Sequence, residues 1–209
     1  MKNDPEFWNK TAPGYAKRPI SNQTAYEQTL DRIIAHLPDQ ARVLEIGCGT
    51  GGTALRLAPH AKEIIATDFS DGMIAEAEKR APAPNVTFKS ADVFAPSFKD
   101  GSFDAVIALN VLHLIPDATR AIARVRDLLR PEGLFLSKTP SIAEPGLGLK
   151  FGLLKMAIPL MQKFGKAPYV RQYSFAELEE DITATGFKII ETGNYPVRPP
   201  NHFLVAQKT

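Results

Sequence analysis

The chain has 209 residues and a mass of 22.9 kDa, which suits one domain of ordinary size and leaves no room for a sizeable second one. Apolar residues make up 44% and charged residues 23%, a globular composition, and the net charge of +2 with a pI of about 8.6 gives no polyanion-binding signature, so nucleic acid is not an expected partner. The single cysteine, Cys48, excludes an intrachain disulfide, the first residues lack the apolar core of a signal peptide, and the longest run free of Asp, Glu, Lys and Arg is the twelve residues 105–116. A bilayer-spanning helix needs about 20, so a cytoplasmic protein is expected.

In chain order, residues 1–38 read as an N-terminal helical cover: an aromatic, polar tail over Met1–Ile20 that folds over something, then an amphipathic helix over Asn22–Leu37. Arg42–Ile46 is a first strand, stopped by glycines and followed by a helix over Thr53–Ala58. Strands follow at Glu63–Asp68, Val86–Ser90 and Phe103–Leu109, the last nearly all apolar, as a strand covered on both faces is. Ser70-Asp71 opens a helix to Arg80. Asp117–Arg130 places Ala118, Ala121, Ile122, Val125, Leu128 and Leu129 at helical spacing before Pro131 and Gly133. Leu134–Ser137 is a fifth strand. Ser174–Thr185 carries a capping box (Ser174, Glu177) and stops at Gly186. The last strands, Phe187–Glu191 and His202–Ala206, are joined by a stretch too short for a parallel crossover and are read as antiparallel. Alternating strands and helices imply βαβ units and a parallel sheet.

The most informative segment is Val43-Leu44-Glu45-Ile46-Gly47-Cys48-Gly49-Thr50-Gly51-Gly52. Glycines between a strand and a helix let a ligand approach the backbone where helix N–H groups are free. Gly47, Gly49 and Gly52 satisfy the dinucleotide pattern G-x-G-x-x-G; Gly47, Gly49 and Gly51 equally satisfy G-x-G-x-G. Spacing leaves both open. Glu45 weighs on the choice, because a carboxylate beside the loop repels a pyrophosphate and attracts an ammonium or sulfonium group. Cys48 reads as a small residue in a tight loop.

Glu45-x-Gly47-x-Gly49-x-Gly51 resembles the first motif of the class I S-adenosylmethionine-dependent methyltransferases. Asp68, Ala91-Asp92-Val93, the run Asp100–Val106 and Leu129-Arg130-Pro131-Glu132-Gly133 are similar to the motifs that follow in that family, with Glu132 where glycine is usual. The resemblance implies a doubly wound, Rossmann-like α/β domain over residues 1–209. It implies a seven-stranded mixed sheet of order 3-2-1-4-5-7-6 with strand 7 antiparallel. It also implies S-adenosyl-L-methionine as cofactor, with Asp68 on the ribose hydroxyls and Asp92, flanked by Ala91 and Val93, on the adenine amino group. Phe69 and Met73 are placed to sandwich the adenine, although packing on their helix accounts for them as well; Asp92 is equally a turn residue.

For the acceptor, Asn110-Val111-Leu112-His113 follows the fourth strand, a segment that borders methionine and acceptor in the resembled family. His113 is a candidate base, against a structural histidine at a strand–helix junction. Tyr15 is a candidate cap on the cofactor and a second candidate catalytic residue, against an aromatic anchor of the tail. Trp8, Tyr26, Tyr173 and His202 are weaker candidates. No metal is expected.

Residues 143–173 form an insertion, and the interval between Glu144 and Glu177 holds no acid and a local charge of +5. Lys155, Gln162, Lys163 and Lys166 share a narrow helical face opposite Leu153, Leu154, Ala157, Ile158, Leu160, Met161 and Phe164, and Gly152 and Pro159 would break or kink such a helix. Three readings stand: a fixed cover with its apolar face buried, a mobile lid over a hydrophobic acceptor, or a transient contact with an anionic membrane surface through 147–166. The expected activity is methyl transfer to a small hydrophobic or amphipathic acceptor, nearest in type to the quinone-biosynthesis C-methyltransferases. A non-catalytic S-adenosylmethionine- or S-adenosylhomocysteine-binding protein and a nicotinamide-dependent reductase are the alternatives.

Overall fold

The computed structural model describes residues 5–95, 97–164 and 167–209. Seven strands form one sheet: β1 (Arg42–Ile46), β2 (Glu63–Asp68), β3 (Val86–Ser90), β4 (Phe103–Leu109), β5 (Leu129–Pro140), β6 (Phe187–Asn194) and β7 (Asn201–Lys208). Their order is β3-β2-β1-β4-β5-β7-β6. β1 to β5 run parallel, and β7 lies antiparallel between β5 and β6. The α-helices among the described residues are α1 (Pro5–Ala16), α2 (Gln23–His36), α3 (Gly52–Leu57), α4 (Asp71–Glu78), α5 (Ala118–Leu128), α6 (Leu149–Lys163) and α7 (Phe175–Thr183). No helix among the described residues is long and apolar enough to cross a membrane.

The central strands are apolar on both faces because both faces are covered. Their period of two sends alternate residues to two cores. Leu44, Val106, Ala108, Phe135 and Leu204 pack with Ile122 and Val125 of α5 and Leu178 and Ile182 of α7. Val43, Ala105, Ile107, Leu136 and Val205 pack with Leu30 and Ile33 of α2 and Ala54 and Leu57 of α3. The strand order reverses between β1 and β4, and the carboxyl ends diverge there into the crevice where such sheets bind ligands.

The helix starts are as local as the sequence suggests. The side chains of Asn22, Ser70 and Asp117 accept from the N–H groups of Ala25, Met73 and Arg120 at 2.9, 3.2 and 3.2 Å. Ser174 and Glu177 close a reciprocal capping box. Each such cap is worth about 1 kcal/mol.

Three elements differ from expectation. β5 starts at Leu129, directly after α5, instead of at Leu134. Leu129 pairs with Phe103, the register shifts before Ala105 pairs with Leu134, and Glu132 takes φ +62° inside this bulge. That left-handed conformation is why glycine is usual at such a turn. Second, the N-terminal tail forms α1, and the helix continues through Pro13. It lies on the start of α4: Asn9 Oδ1 accepts from Ser70 Oγ at 2.7 Å and from the Gly72 N–H at 3.0 Å. Third, α6 is one helix despite Gly152 and Pro159, and it does not bury the apolar face expected of a cover. Ile158 is buried, but Leu153, Met156, Leu160 and Phe164 are all more than half exposed. Lys166 lies outside the described residues.

A Cβ on Gly72 would sit 2.9 Å from Asn9 Cα, which is backbone and cannot step aside. Gly72→Ala is therefore expected to lift α1 off α4 at a cost of about 1–3 kcal/mol. Hydrogen exchange should show protection lost in α1 with the sheet amides unchanged; unaltered α1 protection would contradict this packing account.

Candidate functional site

β1 and β2 end side by side, Glu45 opposite Ala66 and Ile46 opposite Thr67. The glycine loop that follows is held from four sides. The Cys48 N–H donates to the Thr67 carbonyl at 2.8 Å, and the Gly49 N–H donates to Asp68 Oδ2 at 2.9 Å. Arg80, just past α4, reaches back to Thr50, donating to its carbonyl at 2.6 Å and its hydroxyl at 3.2 Å. Gly47 has φ +67°, and a Cβ there would overlap Val111 at 2.4 Å. Gly51 has φ +75°, and its Cβ would strike the Phe88 ring at 2.5 Å. These two glycines let the loop lie against β4 and β3. No side chain fits at either position.

Two buried carboxyl groups flank this loop. Asp68 is 7% exposed, and its Oδ1 accepts from the Ser70 N–H at 2.9 Å. Burial pushes its pKa up, and the N–H bonds from Ser70 and Gly49 oppose the shift. Each oxygen keeps a second lone pair, so the group can still receive two hydroxyl donors. Glu45 is 3% exposed, and its Oε2 has no hydrogen-bond partner among the described residues. Burial first, and the negative charge of Asp68 second, push the Glu45 carboxyl up to about 8. The same surroundings push the Cys48 thiol up, so Cys48 is no nucleophile.

A cavity of about 870 Å³ opens over these groups and runs across the carboxyl ends of β1, β2, β4 and β5. It is lined by Tyr15, Glu45, Gly47, Cys48, Gly49, Asp68, Phe69, Met73, Ala91, Asp92, Val93 and Asn110. Gly51 lies outside this lining, serving the packing against Phe88. Tyr15, at the end of α1, stands over the loop with its ring 3.9 Å from a Cβ placed on Gly49. Asp92 Oδ1 also accepts from the Phe94 N–H at 2.6 Å, so the turn role and the cavity position coexist.

His113 is not brought to the cavity, although Val111, Leu114 and Ile115 around it are. It sits in the short 3₁₀ helix Leu112–Leu114, its Nδ1 buried without a partner among the described residues. Burial pushes its pKa down to about 4. A neutral, weakly basic imidazole outside the cavity is badly placed for a general base. Of the weaker candidates, Trp8 and Tyr26 line the cavity and Tyr173 and His202 do not. Tyr173 donates to Asp181 at 2.9 Å, and His202 lies between Glu179 and Asn194 while stacking on Phe175. No described residue of the insertion 143–173 lines the cavity.

Sequence reading passed over Arg80, Lys138, Tyr195 and Asn201, which do line it. Lys138 had a signal, a lysine closing an apolar strand. The others become site residues only through the fold. Taken together, the lining fits S-adenosylmethionine: the orphaned buried Glu45 oxygen calls for a cation, Asp68 can take a diol, and the glycine loop leaves backbone open to close approach.

Residues 43–133 match the methyltransferase domain family. FUM1, a highly reducing polyketide synthase of Gibberella moniliformis, is 42% identical over 181 residues, which is 80% of this chain and 7% of that protein. YqeM of Bacillus subtilis is 31% identical over 122 residues, 56% of this chain and 49% of that protein. The chain thus spans about half or less of the curated relatives described here. In structure, an S-adenosylmethionine-dependent methyltransferase from Mesorhizobium loti superposes with a TM-score of 0.71 at 21% identity, covering 89% of this chain and 99% of that one, a likeness of fold. The family match runs from β1 into β5, the stretch that supplies Glu45, the glycine loop, Asp68 and Asp92; over residues 43–133 the chain is similar to a methyltransferase domain, and that match together with the site supports S-adenosylmethionine as the cofactor.

Proposed function

We propose that this protein transfers a methyl group from S-adenosylmethionine to a small hydrophobic or amphipathic acceptor. The observation that carries the reading is Glu45: a buried carboxyl with an unpartnered oxygen, facing a cavity beside a second carboxyl. Such a group is costly unless a positive ligand compensates it. When bound, S-adenosylmethionine supplies an electrophilic methyl group on a positively charged sulfur.

The chain's own residues bind, orient and exclude water. Asp68 receives the ribose hydroxyls while its oxygens stay fixed by Gly49 and Ser70. Asp92 receives the adenine amino group, with Phe69 and Met73 beside the ring. Glu45 offsets the positive charge of the methionine end, and Tyr15 closes over the loop. The remaining wall includes Ile20, Tyr26, Leu109, Leu114 and Ile115, apolar groups that suit a hydrophobic acceptor. Transfer then rests on alignment and on excluding water, with no histidine base needed. Polyketide synthases among the relatives support an acyl-type acceptor alongside the quinol and phenol types.

Two outcomes test the cofactor half. Asp68→Ala removes up to two charge-assisted hydrogen bonds of about 1.5–3 kcal/mol each, so calorimetry should show cofactor affinity reduced by at least tenfold. Undiminished binding would refute the role of Asp68.

The second outcome is a pH dependence. From the ordinary value of 4.5 to about 8, the folded protein holds on Glu45 a proton that the unfolded chain has released. Fold stability therefore falls as pH rises through that window. Binding a cation ionises Glu45, so S-adenosylmethionine should release a proton at pH 7 and bind more tightly as pH approaches 8. Calorimetry in buffers of different ionisation enthalpy reads this directly. Glu45→Gln should lose the proton release and weaken binding; a proton count unchanged in that variant would assign the effect elsewhere.

A further inference from the structure

Lys138 is 6% exposed, lies near the carboxyl end of β5 and lines the cavity. Its strand neighbours are Leu109 on β4 and Phe203 on β7. Its Nζ donates to Thr29 Oγ1 at 3.0 Å, and that hydroxyl spends its own hydrogen on the Ala25 carbonyl at 2.7 Å. Thr29 is uncharged, and among the described residues no carboxylate pairs with Lys138. The side chain has three donors and, among the described residues, this one partner. Burial alone lowers its pKa, to about 8, so it is mainly cationic at neutral pH.

A buried cation without a counter-ion is costly, and a leucine or methionine would fill the same space without that cost. Beside it stands a second unsatisfied group. Asn201, at the start of β7, donates through Nδ2 to Asn110 Oδ1 at 2.8 Å, while its own Oδ1 is buried without a partner among the described residues. The Asn110 N–H in turn donates to the Lys138 carbonyl at 2.7 Å, which ties the amide pair to the lysine strand. All three residues line the cavity. They stand over β4, β5 and β7, whereas Glu45, Asp68 and Asp92 stand at the ends of β1, β2 and β3. The cavity therefore has an acidic end and, over β5, a cationic end at Lys138; Arg18, Arg56 and Arg80 also line it.

We propose that Lys138 recognises the acceptor, and that the acceptor presents an anionic oxygen (carboxylate, phenolate or enolate) to its ammonium group, with the Asn201 carbonyl oxygen receiving a neighbouring O–H or N–H. This rests on the cavity being a methyl-transfer site, and it narrows the acceptor from hydrophobic molecules in general to those with an acidic oxygen on an apolar body. Lys138 fixes that oxygen and favours its ionised form, so that an acidic acceptor arrives already without the proton it must lose. No histidine is then required for that proton.

The test uses the full chain with ¹³C-labelled lysine and saturating S-adenosylhomocysteine, the Lys138 signal being assigned by its loss in Lys138→Met. Salicylate, 4-hydroxybenzoate and acetoacetate are titrated against their amides. At least one acid should move the Lys138 signal, raise its titration midpoint and bind about tenfold more tightly than its amide, while Lys138→Met should bind the two within about twofold. If no acid moves the signal, or if Lys138→Met keeps the preference for the acid, the inference is overturned. Should Lys138→Met fail to fold, Lys138→Gln takes its place under the same comparison. Failure of the wild-type chain to bind S-adenosylhomocysteine at all would overturn the cofactor reading instead, and calorimetry on the same sample separates the two.

Discussion

Two carboxyl groups withdrawn from water at the ends of adjacent parallel strands set the terms for the rest of this molecule. Glu45 and Asp68 sit where the sheet reverses its strand order, beneath a loop whose backbone Asp68 itself holds. Among the described residues neither group has a cationic side chain against it. The fold therefore spends stability to keep negative charge, or protons in its place, at one point. That arrangement is useful only when a positive ligand completes it. The glycines follow from the same requirement, since the loop must lie against Val111 and Phe88 while leaving its other side free.

The walls of the cavity are secured separately from its floor. α1 is pinned to α4 by Asn9, and brings Tyr15 over the glycine loop and Trp8 to the cavity wall. α2 is tied to β6 through Glu191, which accepts from Arg32 and contacts His36 Nε2 at 2.8 Å; those partners hold the Glu191 carboxyl down at about 2. α2 also places Thr29 against Lys138 and Tyr26 against Thr53. The N-terminal helices thus serve both ends of the cavity. A change in how they sit would alter cofactor and acceptor binding together.

The insertion follows a different logic. Its helix leaves Leu153, Met156, Leu160 and Phe164 in solvent, and no described part of it reaches the cavity. The apolar pattern that suggested a buried face is real as a pattern. Amphipathic spacing says which residues share a side, but burial also needs a surface to lie on, and spacing carries no information about that.

How far the sequence could be read follows the range of the forces involved. Strand alternation, the glycine loop and the caps at Ser70 and Ser174 depend on hydrogen bonds and periodicities within a few residues, and each was legible as written. So was the acidic character of the cofactor end, because Glu45 and Asp68 each belong to a recognisable strand ending. The extent of α1 was not legible within the expected helical cover, because Pro13 and Gly14 disfavour a helix locally and the contact with α4 overrides them. Nor was the exclusion of His113, which depends on the way one short turn faces. The cationic end was least legible of all. Asn110, Lys138 and Asn201 come from three strands, and only tertiary packing removes the water that makes their unpaired charge and unpaired oxygen consequential. Sequence alone determined the sheet, its loop and the sign of the charge beside it. The tertiary structure decided which side chains share the cavity and how far each is desolvated, because desolvation depends on the whole surroundings and not on any neighbour along the chain.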